Sequence, residues 1–157
     1  MKKHEEMLEE FAAYARSGHD VKQLMQHISE QLHEAMARYN WVGFYLMEAS
    51  TPKALVLGPY MGSFMPTLRI PLDKGLCGAA ATSGQTVVGN NVAADPRYIG
   101  SDIVKSNIVV PIFVKQQVAA EICIESYFTD TFPIEEQRFI ESCAELVGRQ
   151  MENEASR

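Results

Sequence analysis

The chain has no surplus of positive charge. Across 157 residues, 14 lysines and arginines stand against 20 aspartates and glutamates, a formal net charge of −6. Nucleic-acid binding requires a basic stripe that neutralises phosphates, and Lys2 and Lys3 are too few to form a basic arm. Long apolar runs are also missing: none approaches the length of a membrane span. The charged opening Met1-Lys2-Lys3-His4-Glu5-Glu6 leads into an amphipathic pattern, not the apolar stretch of a secretory signal. Cysteine is scarce. Cys77, Cys123 and Cys143 are odd in number, widely spaced and lack Cys-x-x-Cys or Cys/His spacing, which argues against a disulfide framework or a zinc site. No glycine-rich phosphate cradle occurs. These absences set the expectation of a cytoplasmic chain with reduced thiols, no cofactor, no metal, no nucleic acid and no membrane partner.

What is present is ordinary globular composition, with 46% hydrophobic and 22% charged residues and a length suited to one domain over 1–157. A helical N-terminal part is expected over 4–38, sheet and loops over 41–128, and a closing helix over 133–152. Met7, Leu8, Phe11, Tyr14 and Ala15 recur at helical spacing before Ser17-Gly18. Asp20 is placed to cap a second helix carrying Val21, Leu24, Met25, Ile28, Leu32 and Met36. From Trp41 the pattern changes to strands: Trp41 to Met47, Ala54 to Leu57, Leu68 to Pro71, Gln85 to Val88, Ile108 to Val114 and Val118 to Ser126. Gly58-Pro59 and Gly62 predict a turn, and Lys74 to Ala81 a glycine turn entering a short helix. Asn90 to Lys105 reads as an irregular excursion, and Pro133 as part of a first helical turn. The order implies an α+β fold: an antiparallel sheet with helices on one face and pocket-forming loops on the other.

Strand alternation then sorts the candidates. Trp41, Gly43 and Tyr45 share one face of the first strand, and Glu121, Cys123 and Glu125 share one face of the last. Two carboxylates beside an aromatic pair suit a polar or cationic ligand, although exposed glutamates are usually solvated, Glu121 above all. Cys77, at a predicted helix N-terminus, is either a reactive thiol or a small residue packed under a tight turn. Cys143 lies on the last helix's apolar stripe and reads as core. The histidines, His4, His19, His27 and His33, lie in the helical part, so a Cys/His nucleophile pair is not favoured.

Asn40-Trp41-Val42-Gly43-Phe44-Tyr45-Leu46, Leu55 to Tyr60, Lys74 to Ala80, Ile108 to Ile112 and Ile124-Glu125-Ser126, taken in order, resemble the free methionine-(R)-sulfoxide reductases, which are single GAF domains. The resemblance runs from about Val21 to Gly148 and implies a six-stranded antiparallel sheet flanked by helices, a pocket, and pairing into a homodimer through the terminal helices. It assigns Trp41 and Tyr45 to an aromatic cage. Of the family's three cysteines only the middle one is matched, by Cys77. The first position holds Thr67 and the attacking one holds Ser101, in Ile99-Gly100-Ser101-Asp102. A family glutamate becomes Asn107, and an Asp-Ile-Asp becomes Cys123-Ile124-Glu125. Sulfoxide reduction needs a sulfur that passes through sulfenic acid and is discharged as a disulfide. A hydroxyl has no such ladder.

The resemblance therefore yields three expectations. The first is a non-catalytic, sensor-like module that binds a small polar metabolite, with amino-acid-like compounds among the candidates, through Trp41, Tyr45, Thr67, Cys77, Ser101, Asp102, Asn107, Cys123 and Glu125. The second is a rewired thiol-dependent reductase using Cys77 and Cys123. The third is a dimeric structural or signalling module with a vestigial pocket.

Overall fold

In a computed structural model, which describes residues 2–49 and 53–156, two helices lead the chain: α1 (Lys2–Arg16) and α2 (Val21–Ala35). Asp20 starts α2 through a reciprocal capping box. Its Oδ1 accepts from the Gln23 amide at 2.8 Å, and its own amide donates to Gln23 Oε1 at 2.9 Å. A cap of this kind stabilises a helix by about 1 kcal/mol. The strands are β1 (Trp41–Glu48), β2 (Ala54–Gly62), β3 (Arg69–Pro71), β4 (Val87–Gly89), β5 (Ser106–Val114) and β6 (Gln117–Ser126), with α3 (Gly75–Ser83) between β3 and β4 and α4 (Ile134–Ala155) last. They form one six-stranded antiparallel sheet in the order β3-β2-β1-β6-β5-β4.

Alternation in the central strands gives the sheet two unlike faces. Val42, Phe44, Ile108, Val110, Ile122 and Ile124 join Phe11, Leu24, Ile28, Leu32, Ile140, Cys143 and Val147 in the main core under α1, α2 and α4. Each fully buried side chain of this size contributes roughly 1.5–3 kcal/mol. Trp41, Tyr45, Val109 and Cys123 face the other way and pack with Leu76 and Ala80. That second face is not covered by loops alone, because α3 lies on it too.

β2 departs from the sequence expectation. Gly58, Pro59 and Gly62 lie inside a continuous strand, not in a turn. Gly43 pairs with Tyr60 and Tyr45 with Leu57, so Gly58 and Pro59 together oppose Phe44 as a β-bulge. The paired register with β3 covers only Ala54 to Val56, leaving Pro59 at a sheet edge where its missing amide costs no ladder bond. Pro133 is likewise displaced by one position, forming the N-cap before Ile134. The β5–β6 turn has Lys115 and Gln116 at φ 51° and 68°, the two positive angles of a tight hairpin, and Glu152 of α4 accepts from the Lys115 amide at 2.8 Å.

Among the described residues, no helix is long and apolar enough to cross a membrane.

Candidate functional site

The second sheet face carries the chemistry because strand register brings distant residues into rows. Trp41 of β1 pairs with Glu125 of β6, which pairs with Asn107 of β5. The next row is Gly43, Cys123 and Val109, and the next is Tyr45, Glu121 and Pro111. A cavity of about 480 Å³ opens over these rows, walled by the start of α3 and by the loops around residues 64–67 and 98–101.

The Trp41 indole lies flat on the sheet, and two glycines make room for it. A Cβ on Gly43 would stand 2.5 Å from indole Cη2, and one on Gly62, directly across the ladder, would collide with Cδ1. Tyr60 and Phe64 stack on the indole at ring-centroid distances of 5.5 and 5.9 Å. The Tyr45 hydroxyl donates to the Thr67 carbonyl at 2.8 Å, which fastens the 64–67 loop to the sheet.

On the opposite wall, the Asp95 carboxylate folds the loop by accepting from the Arg97 amide at 2.9 Å and from its guanidinium at 2.8 Å. Asp95 is held below its usual range chiefly by that bond to Arg97. The turn delivers Tyr98, whose hydroxyl lies 3.2 Å from Glu125 Oε2 and 3.3 Å from the Ser101 carbonyl. Burial pushes the Glu125 carboxyl up to about 7 against the opposing effect of the Tyr98 bond. Burial, then Glu125, also pushes the Tyr98 phenol up.

Behind the cavity sits a denser cluster. Glu121 is fully buried and neither carboxyl oxygen has a hydrogen-bond partner. Burial first, then the adjacent Cys77 thiol, pushes its carboxyl up to about 10, so it is a neutral acid near neutral pH. The expectation of a solvated Glu121 is thus overturned: β6 is a central strand, and Tyr45 and Pro111 flank Glu121 in the ladder. Cys123, also buried, has its thiol pushed up by interaction with Cys77 and then by burial.

Of the candidates read from sequence, Trp41, Tyr45, Thr67, Cys77, Ser101, Asn107, Cys123 and Glu125 all line this cavity. Asp102 does not: it is exposed, because the Ile103 amide turns back onto Ser101 Oγ at 3.4 Å and the chain directs the intervening residue outward. Phe64 and Tyr98 line the cavity and were missed. Each sits in an irregular loop, where no periodicity marks an inward-facing position. Two buried polar atoms on lining residues, Trp41 Nε1 and Asn107 Oδ1, have no protein partner.

A second groove of about 500 Å³ lies between α4 and the β4–β5 edge. Its Thr86 hydroxyl donates to Glu141 at 2.6 Å, and Arg149 pairs with Glu145 at 3.0 Å. These groups already satisfy one another. Among the described residues, no group of three or more His, Cys, Asp or Glu side chains is disposed to hold a metal ion.

A family model described as GAF domain matches residues 18–152 of the chain. The chain belongs to the GAF domain family. Within it, this GAF domain is 35% identical over 111 residues to the free methionine-R-sulfoxide reductase of Escherichia coli K12, covering 70% of this chain and 65% of that protein. It thus spans slightly less than two thirds of that relative. It is 31% identical over 121 residues to protein YtsP of Bacillus subtilis, covering 76% and 72%. The free methionine-R-sulfoxide reductase of Neisseria meningitidis, solved in complex with its substrate, superposes with a TM-score of 0.90 at 28% identity over 97% of this chain and 91% of that one. The GAF fold and the likeness to these reductases are therefore shown.

Proposed function

We propose that this GAF domain is a non-catalytic, sensor-like module that uses its reductase-like cavity to bind a small polar metabolite. The observation that carries this reading is a cavity of about 480 Å³ in which Trp41, Tyr45 and Phe64 stand beside the polar side chains of Ser101, Asn107 and Glu125. Glu125 adds a group that accepts as carboxylate or donates as acid near neutral pH. Aromatic rings supply the apolar lining that such sites use beside a few polar groups.

Ser101 supports binding without turnover. It lies on the cavity wall, at the position where the resemblance places an attacking cysteine. An alcohol oxygen cannot accept the sulfoxide oxygen and return it through a disulfide. The likeness to reductases of free methionine sulfoxide makes amino acids and their sulfoxides the first ligands to examine.

The test is calorimetric titration with methionine, methionine-(R)-sulfoxide, other amino acids and nucleotides, run beside a thioredoxin-coupled reductase assay. Saturable binding that weakens in Asn107→Ala, without sulfoxide turnover, is the expected outcome. Turnover that persists in Cys77→Ala overturns the reading. Turnover that Cys77→Ala abolishes also overturns it, in favour of a thiol-dependent reductase.

A further inference from the structure

The two loops that wall the cavity end in an apolar lip. Each presents an aromatic ring followed by an aliphatic side chain, Phe64-Met65 on one and Tyr98-Ile99 on the other, and all four residues line the cavity. Phe64 and Tyr98 are half-buried, whereas Met65 is 81% exposed and Ile99 66%. Leu68 and Ile103, farther along the same loops, are 64% and 51% exposed. Solitary apolar side chains at a surface are ordinary. Grouped on the two loops around one opening they make a patch, and such patches mark binding surfaces. The loops are fastened from within: the Tyr45 hydroxyl holds the Thr67 carbonyl, and the Tyr98 hydroxyl meets Glu125. Ser63 Oγ also lies 3.1 Å from the Tyr127 hydroxyl. The lip is therefore held in place over the cavity.

The inner end has the opposite character. Asn107 and Glu125 pair across the β5–β6 ladder, and both line the cavity, with Asn107 buried. An amide oxygen beside a carboxylate offers neighbouring acceptors, which suit a primary ammonium with its three N–H donors. The cavity thus grades from acceptors at its floor to aliphatic carbon at its mouth. A compact polar ligand at the floor leaves Met65 and Ile99 in water, and a ligand with a tail covers them. Arg69, paired with Glu48, and Lys74 stand on the same lining, so a second positive charge at the end of that tail is repelled.

We propose that the lip is a subsite for the aliphatic tail of an amine-headed metabolite, whose ammonium group binds at Asn107 and Glu125. This rests on the reading of the cavity as a ligand site and adds the class of ligand it takes. The tail supplies affinity through burial: each methylene removed from water lowers Kd roughly threefold to fourfold.

The test titrates the full chain with butylamine, hexylamine and octylamine by calorimetry and by Trp41 fluorescence, with octanol and the diamine of octylamine's length as controls. Kd is expected to fall roughly threefold per added methylene. Octanol, which lacks the charged head, is expected to bind more weakly than octylamine on the order of tenfold, and the diamine is also weaker. Met65→Ser and Ile99→Ser, both at exposed positions, are expected to flatten the dependence on chain length. A Kd that does not change along the series, octanol binding as tightly as octylamine, or a length dependence that both serine variants retain overturns the proposal. Binding of an amino acid with a flat amine series leaves the ligand site standing and removes the tail subsite. Binding of neither removes both. Self-association that the serine variants abolish, with a flat series, assigns the lip to a second copy of the chain and overturns the proposal as well.

Discussion

Tyr98 stands 3.2 Å from Glu125 through its hydroxyl, and this contact joins an irregular loop to the central strand of the sheet. The same hydroxyl is 3.3 Å from the Ser101 carbonyl. A phenol carries one proton, so it serves one acceptor well at a time. When Glu125 is ionised the proton favours the carboxylate. When Glu125 is protonated, the acid can donate to the Tyr98 oxygen while Tyr98 donates to Ser101. The protonation state of Glu125 is thereby linked to how the 98–101 loop is held.

This linkage predicts the behaviour of Tyr98→Phe. Burial raises Glu125 to about 7, and the Tyr98 bond is the effect that lowers it. Removing the hydroxyl is expected to move the Glu125 titration upward by up to about one unit, or roughly 1.4 kcal/mol of lost preference for the ionised form. Carbon-13 NMR titration of labelled glutamate measures it directly. An unchanged or lower midpoint contradicts the contact as described.

Glu121 predicts how stability depends on pH. Its folded value of about 10 lies above the unfolded value near 4.5. Between those values the folded chain binds the proton that the unfolded chain has lost, so this group makes stability fall as pH rises. Glu121→Gln keeps the shape and cannot ionise. Relative to wild type, it is expected to flatten the loss of stability between pH 6 and 9, with a difference on the order of a few kcal/mol at the alkaline end. Urea unfolding at a series of pH values checks the sign. A variant whose stability falls as steeply as wild type removes the buried-acid assignment.

The seat of Trp41 gives a third prediction. The chain has 1 tryptophan, so its fluorescence reports this position alone. Gly62→Ala places a methyl group against the indole, and overpacking of this kind costs about 1–3 kcal/mol. The expected result is a changed emission maximum together with a lower unfolding midpoint. Retention of both, with ligand titration unaltered, means that the glycine is not needed to seat the ring.

Much of the frame was legible in sequence because it follows local rules. Asp20 and Gln23 cap a helix through groups three residues apart. The apolar stripes of α2 and α4 and the alternation in β1 and β6 each repeat with their element's period. Gly58-Pro59 misled for a non-local reason, since the bulge that accommodates it exists only when β1 pairs alongside. Phe64 and Tyr98 were illegible because a loop side chain has no period, and its direction is set by what the loop docks against.

By itself the sequence determined the two-faced sheet, and with it that Trp41, Tyr45, Cys123 and Glu125 look away from the main core, because successive strand side chains alternate. Only the tertiary structure decided that Glu121 is a buried neutral acid, that Asp102 faces solvent, and that Cys77 of α3 and Cys123 of β6 line one cavity. Burial and contact between residues of distant sequence number arise from strand register and from helix docking. No spacing along the chain encodes them.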